Sequence, residues 1–170
     1  MAPERWVVNA SPLILLGKVE QIPLLGALAG ELAVPRAVIR EVSAKPDGER
    51  RVQTLTALQA TVIVDDEVPP ANILSWDLGA GETQVISHAV VHSAGRVVID
   101  DLEARRCAKA MGLAIIGTLG IVGRAKVNGL IEQAEPVIRR LRETGLYASE
   151  DLVQKLLREV GESSASGQDD

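Results

Sequence analysis

Aromatic side chains are nearly missing from this chain: its 170 residues hold two Trp, one Tyr and no Phe. Nucleic-acid platforms of the RRM or OB kind stack bases on aromatic faces, which makes both plans a poor fit. Cysteine is represented by Cys107 alone. One thiol builds neither a disulfide framework nor a Cys-based zinc site, so Cys107 reads as a small buried residue on a helix, and a reducing, cytoplasmic setting fits. No apolar run approaches the ~18 residues of a membrane span; the stretch from Ser11 to Leu16 is short and is broken by Gly17 and Lys18. The opening MAPERWVVN lacks a basic region ahead of a long apolar run, so it is not expected to be a signal peptide. The motifs GxxxxGK[ST], GxGxxG and GxSxG do not occur, which argues against P-loop, dinucleotide-binding and serine-hydrolase chemistry.

Apolar residues make up 46% of the chain, mostly Leu, Val, Ile and Ala, enough for one core. The net charge is −5, unsuited to a general nucleic-acid coat. Its distribution is uneven. From Arg96 to Arg142 there are nine Lys and Arg against five Asp and Glu, a local balance of +4, and the remainder carries nine against eighteen, a balance of −9. Arg105, Arg106, Arg124 and Lys126 fall in the basic stretch. They read either as solvated helix faces or as a phosphate-contacting rim beside an acidic pocket.

Strand-like and helix-like segments alternate. Trp6 to Ala10 is uncharged and partly β-branched and reads as a buried strand. Ser11-Pro12 reads as a helix start with Ser as cap, and a second helix is expected near IPLLGALAG. Leu32 to Val34 is a short strand, Pro35 opens a helix over RAVIREVSA, Arg50 to Leu58 is helical, and Thr61 to Val64 is a strand followed by the loop DDEVPP. LGAGE leads into the helix ETQVISHAVVHSAG. Then come the strand VVID (97–100), the helix LEARRCAKAMG, the strand AIIG (114–117) and three helices, the last capped by Ser149. This alternation points to a three-layer α/β fold with a mostly parallel sheet. One domain over 1–162 and a disordered polar tail over 163–170 are expected.

Four carboxylates sit at the ends of strands or inside the helices that follow them: Glu41, Glu82 and the adjacent Asp100 and Asp101. In open parallel sheets, ligands bind beyond the carboxyl ends of the strands. Magnesium takes oxygen ligands, often one or two carboxylates plus waters, and acids gathered from distant segments suit metal-assisted phosphodiester hydrolysis. Each acid also has a plainer reading. Glu41 can be an exposed helix residue, Glu82 can serve the dipole of its helix, and Asp101 can be an N-cap. His88 and His92 stand four apart on one helix, a metal-binding spacing, but with no HExxH Glu and no third ligand nearby in sequence they read as structural or surface residues.

Taken together, the segments VVNASPLILLGKV, VPRAVIREV, LGAGETQVISHA, VVIDDLEARRCAKAMGLAIIGTLGIVGRAKVNGLI and SEDLVQKLLREVGE resemble the PIN-domain superfamily, in particular its small prokaryotic PIN-like proteins. The resemblance runs from about Val7 to Glu162. It implies an α/β/α sandwich on a parallel sheet of about five strands. It also implies a Mg2+- or Mn2+-dependent ribonuclease, related to the VapC-type toxins of toxin–antitoxin pairs. The implied partners are RNA, an antitoxin protein and a second copy of the chain. The family's acids fall on Asn9, Glu41, Glu82 and Asp101, with Asp100 beside the last. Ser11 matches the family's hydroxyl two residues beyond the first acid, and Thr118 a polar position after the next strand. Asn9 departs from the family's usual Asp. It offers a metal a carbonyl oxygen without a charge that is worth about 4 kcal/mol at ~4 Å and an effective dielectric near 20. Asp100 would replace that charge if its side chain turned inward. With Asn9 in this position, a non-catalytic module that binds RNA or protein is the alternative.

Overall fold

The computed structural model describes residues 4–162; the expected polar tail at 163–170 lies outside them. Five strands form one sheet: β1 (Arg5–Val8), β2 (Glu31–Pro35), β3 (Thr61–Val64), β4 (Arg96–Val98) and β5 (Ile115–Ile116). Between and after them run α1 (Ala10–Lys18), α2 (Pro23–Leu28), α3 (Arg36–Ser43), α4 (Gly48–Thr56), α5 (Ala71–Leu74), α6 (Ala80–Val91), α7 (Leu102–Ala110), α8 (Thr118–Val127), α9 (Ala134–Glu143) and α10 (Glu150–Glu159). The strand order is β3-β2-β1-β4-β5 and every pairing is parallel. The result is a three-layer α/β/α sandwich.

The central strands show why both faces must be covered. Val7, Val8, Leu32, Ala33, Val34, Val97 and Val98 are all fully buried. Successive side chains on a strand point to opposite faces, so a continuous buried run needs helices above and below. Helix α6 lies across β1, β2 and β4, while α2 and α8 pack on each other and α9 and α10 extend that layer. No helix of the described residues is long and apolar enough to cross a membrane.

Strand order places the reversal between β1 and β4. The chain grows outward from β1 through β2 to β3, then returns to the other side of β1 for β4 and β5. A crevice opens at such a reversal, beyond the carboxyl ends of the two strands. Asn9 follows β1 there, and its backbone N–H donates to Val98 O of β4 (3.0 Å), extending the ladder into the crevice.

Local boundaries differ in several places, β1 among them, which runs over Arg5–Val8 rather than Trp6 to Ala10 because the chain turns at Asn9 into α1. The residue capping α1 is Asn9, still extended at φ −85° and ψ 167°, rather than Ser11, which lies inside the first turn. Pro12 is accommodated because first-turn N–H groups have no intrahelical acceptor. The strand read as VVID stops at Val98, since Asp100 and Asp101 turn to cap helices. The short helix α5, after the two prolines at 69–70, had no periodic signal in its four residues.

Candidate functional site

Four chain segments meet at the β1/β4 crevice. Asn9 comes from the β1–α1 junction, Glu41 from α3, Glu82 from the first turn of α6, and Asp101 from the N-cap of α7. Glu41 accepts a hydrogen bond on Oε1 from the Gly81 N–H (2.9 Å). It thereby satisfies one of the free donors at the start of α6, whose own cap, Gly79, has no side chain to offer. Asp101 accepts from the Ala104 N–H through Oδ2 (3.0 Å), an ordinary N-cap that leaves Oδ1 uncommitted.

Glu82 reports the electrostatics of the group. Burial pushes its carboxyl above the usual range, and the charges of Asp101 and then Glu41 push it further; the Gly79 backbone N–H and the Asn9 amide beside it pull the other way. Three carboxylates thus face one another, and among the described residues none of them is paired with a Lys or Arg side chain, an arrangement suited to binding a cation. Asn9 is 3% exposed, and its Oδ1 is buried without a hydrogen-bond donor. A buried orphan carbonyl costs on the order of 1–3 kcal/mol, and here it lies among carboxylates. One neutral oxygen and three carboxylates make an oxygen-only donor set, which suits a hard divalent ion. Gly81 keeps the crevice open. A Cβ there would collide with the Glu41 carboxylate and stand 3.2 Å from Asn9 Oδ1.

Asp100 does not join this cluster. Its Oδ1 accepts from the Thr118 N–H (2.7 Å) and its Oδ2 from the Thr118 hydroxyl (2.6 Å), so it caps α8 from the end of β4. The neighbouring Asp101 faces Glu82 while Asp100 faces α8, and the charge lacking at Asn9 is not restored. Thr118 is fully buried in this pairing. Ser11 is exposed on the first turn of α1, one turn from Asn9.

The basic rim divides. Arg105 projects from α7 toward Asp100, and the two side chains crowd the backbone of Gly117. Arg106, next to it, is exposed and paired with Glu103. Arg124 and Lys126 are elsewhere, a correction to the rim read from the sequence. Helix α8 starts beside Asp100 and runs away from the crevice, so its last turn reaches the strands' amino-terminal edge, about 10 Å or more along the axis. Arg124 lies there over the Trp6 ring (5.9 Å) together with Arg96 (5.7 Å), and Lys126 donates to the Glu132 backbone carbonyl and stands 3.9 Å from Glu162 Oε1.

A second group was not visible in the sequence. Glu67, in the loop after β3, reaches His88 and His92, supplying the third ligand-type side chain that the local sequence lacked. Its signal was an acidic run at a strand end followed by an i, i+4 histidine pair, and only the folded loop connects the two.

A family model for the PIN domain matches residues 5–162. The chain belongs to the PIN-domain family. The match takes in the five strands and ten helices of the described residues. Members are generally nucleases that use divalent metal ions, so nucleic-acid hydrolysis is the reaction class that this PIN domain's fold brings with it. A search among curated proteins finds no match.

Proposed function

We propose that this PIN domain is a Mg2+- or Mn2+-dependent endoribonuclease and serves as the toxin of a toxin–antitoxin pair. The observation that carries the reading is the state of Glu82: a partly buried carboxyl driven upward by Asp101 and Glu41, beside the unpaired Asn9 Oδ1, in the crevice where strand order reverses. Asn9, Glu41, Glu82 and Asp101 would hold the ion. When bound, it would supply Lewis-acid polarisation of a phosphodiester and a water of lowered pKa.

The chain's own groups define the rest. Glu41 stays on the Gly81 N–H and fixes the start of α6, so Glu82 enters the crevice at a set height. Asp101 keeps one oxygen on its own helix and leaves the other available to a ligand. Asp100 and Thr118 lock the β4–α7 and β5–α8 junctions together, a positioning role. The exposed Ser11 hydroxyl and the free N–H groups opening α1 are suited to a phosphate oxygen of the substrate. Arg105, on α7 beside Asp100, supplies a cationic side chain for the RNA backbone.

The second reading, a PIN module that binds RNA or protein without cutting, has one observation in its favour: Asn9 brings no charge. The experiment that separates them is cleavage of a mixed structured and single-stranded RNA pool with Mg2+, Mn2+ or EDTA, by wild type and Asp101→Asn. Metal-dependent cutting that vanishes in the variant is the expected result. Folded wild-type protein that binds RNA but cuts none of it in any metal would reject the nuclease reading. Co-purification with an antitoxin encoded nearby, and the mass of the free protein in solution, test the expected protein partner and homodimer.

A further inference from the structure

The group formed by Glu67, His88 and His92 lies outside the carboxylate crevice. His88 and His92 are six and ten residues beyond Glu82 on the same helix direction, roughly 9 and 15 Å along the axis. The ligand-type atoms of the three side chains all lie within 4.8 Å of one another. Glu67 Oε1 is in contact with His92 Nε2 and stands 3.8 Å from His88 Nδ1. The two imidazole rings are 4.3 Å apart, tilted by 31°.

Glu67 is held ready. Gln84 closes a ring on its main chain, accepting from the Glu67 N–H (2.7 Å) and donating to the Glu67 carbonyl (2.9 Å). Its neighbours Asp65 and Asp66 are tied to α3 by Arg36 and Arg40. The loop is therefore fixed on α6 by its backbone, leaving the Glu67 carboxylate to the histidines.

His88 supplies a second observation. It is 3% exposed, and its Nδ1 is buried with no hydrogen-bond partner. Arg5 lies 3.1 Å from the other ring nitrogen, Nε2. Arginine only donates, so Nε2 accepts and the neutral ring carries its proton on Nδ1, aimed at Glu67. Burial, then His92 and Arg5, lower the ring's basicity from its ordinary value, against the opposing pull of Glu67 and Glu31. A buried neutral imidazole with an unpartnered nitrogen facing a carboxylate and a second imidazole is a built donor set. In a tetrahedral zinc site with bonds of about 2.0–2.2 Å, donor atoms stand roughly 3.3 Å apart. The 3.8 Å pair meets that by closing slightly, and the Glu67–His92 pair by opening.

We propose that Glu67, His88 and His92 form a binding site for a zinc-class divalent transition ion, separate from the oxygen-only crevice. Two imidazoles and one carboxylate suit such an ion, where magnesium prefers oxygen alone. Binding through Nδ1 moves the His88 proton to Nε2, which then must donate. Arg5 gives up that nitrogen and keeps its ion pair with Glu31. The occupied site would fasten the loop after β3 to the last turns of α6, with water in the fourth position.

The test is zinc titration of the purified full chain against a chromophoric chelator, with Co2+ as a spectroscopic probe. It is run in a Glu82→Gln background, so that the crevice contributes little. One zinc ion bound at micromolar affinity or tighter, with visible Co2+ absorption of the four-coordinate type, is expected. His92→Ala and Glu67→Gln, both at accessible side chains, should each weaken zinc at least about 10-fold, and 10 mM Mg2+ should not displace it. Arg5→Gln, whose Oε1 can accept from Nε2–H, should bind at least as tightly as its parent. Absence of zinc binding, or affinity unchanged by His92→Ala, would overturn the site and leave Glu67 and His92 as an ion pair. Weaker binding in Arg5→Gln would overturn the assignment through Nδ1. None of these readings depends on whether the protein cuts RNA.

Discussion

Replacing Asn9 with Asp tests the crevice directly, because it restores a charge where the side chain is 3% exposed and already touches Glu82. At ~5 Å and an effective dielectric of ~20, each neighbouring carboxylate repels the new charge by about 3 kcal/mol. Two such neighbours exceed the cost of simply keeping the new acid protonated at pH 7, about 4 kcal/mol for a group with an ordinary pKa near 3.9. Without metal, Asn9→Asp should therefore lose at most about 4 kcal/mol at pH 7. For a chain of this size that is a fall in Tm of up to roughly 8–16 °C. The new acid has a raised folded pKa. Its penalty is therefore absent below the ordinary carboxylate pKa and grows as pH rises toward the folded value. Divalent metal should reverse the sign. The same charge then attracts, and Mg2+ affinity should rise by up to 10²–10³-fold, of the order of the charge energy. Melting curves in EDTA and in graded Mg2+, at pH 4 and pH 7, measure both. Equal Tm in EDTA at pH 7 together with unchanged Mg2+ affinity would refute the claim that Asn9 shares a site with Glu82, Asp101 and Glu41.

Three further outcomes follow from the same geometry. Glu82→Gln removes a charge that burial, Asp101 and Glu41 disfavour, so the metal-free variant should be more stable than wild type at pH 7 by about 0.5–2 kcal/mol. That gain should fade as acid protonates wild-type Glu82, and metal-dependent cleavage should be gone; lower stability at neutral pH would contradict the assigned electrostatics. Gly81→Ala should fold, since Ala offsets part of the clash by up to about 1 kcal/mol of helix propensity, but it should weaken Mg2+ at least tenfold by displacing Glu41; calorimetric titration reads this, and unchanged affinity would remove Glu41 from the site. Asp100→Ala should lose about 2–4 kcal/mol in urea unfolding with its two bonds to Thr118, whereas Asp101→Asn, still a good cap, should stay within about 0.5 kcal/mol while losing cleavage. The reverse pattern would exchange the roles of the two aspartates.

Much of this architecture was legible because buried parallel strands announce themselves as short β-branched runs, as in RWVV and RVV, with helix-opening residues directly after them. Glu82 and Asp101 were legible for the same reason, since strand ends and helix starts locate the crevice, whereas Glu41 reaches it from the last turns of α3. What failed was direction in space. The basic stretch from Arg96 to Arg142 reads as one patch along the chain, yet α8 carries Arg124 and Lys126 to the far edge of the sheet. Adjacent residues diverge for a similar reason: Asp100 and Asp101 look interchangeable in sequence, and the end of β4 sends one to α8 and the other to α7. Glu67 was invisible because only the bonds from Gln84 bring its loop onto α6.

The crevice also sets a schedule for the chain as it is made. Asn9 and Asp101, both beside Glu82, are 92 residues apart along the chain. At about 5–20 residues per second, translation separates them by roughly 5–18 s. Strand β1 cannot acquire its β4 neighbour any sooner, so an unfinished chain holds at most part of the donor set. The full set of oxygen donors therefore exists only once most of the sheet has closed.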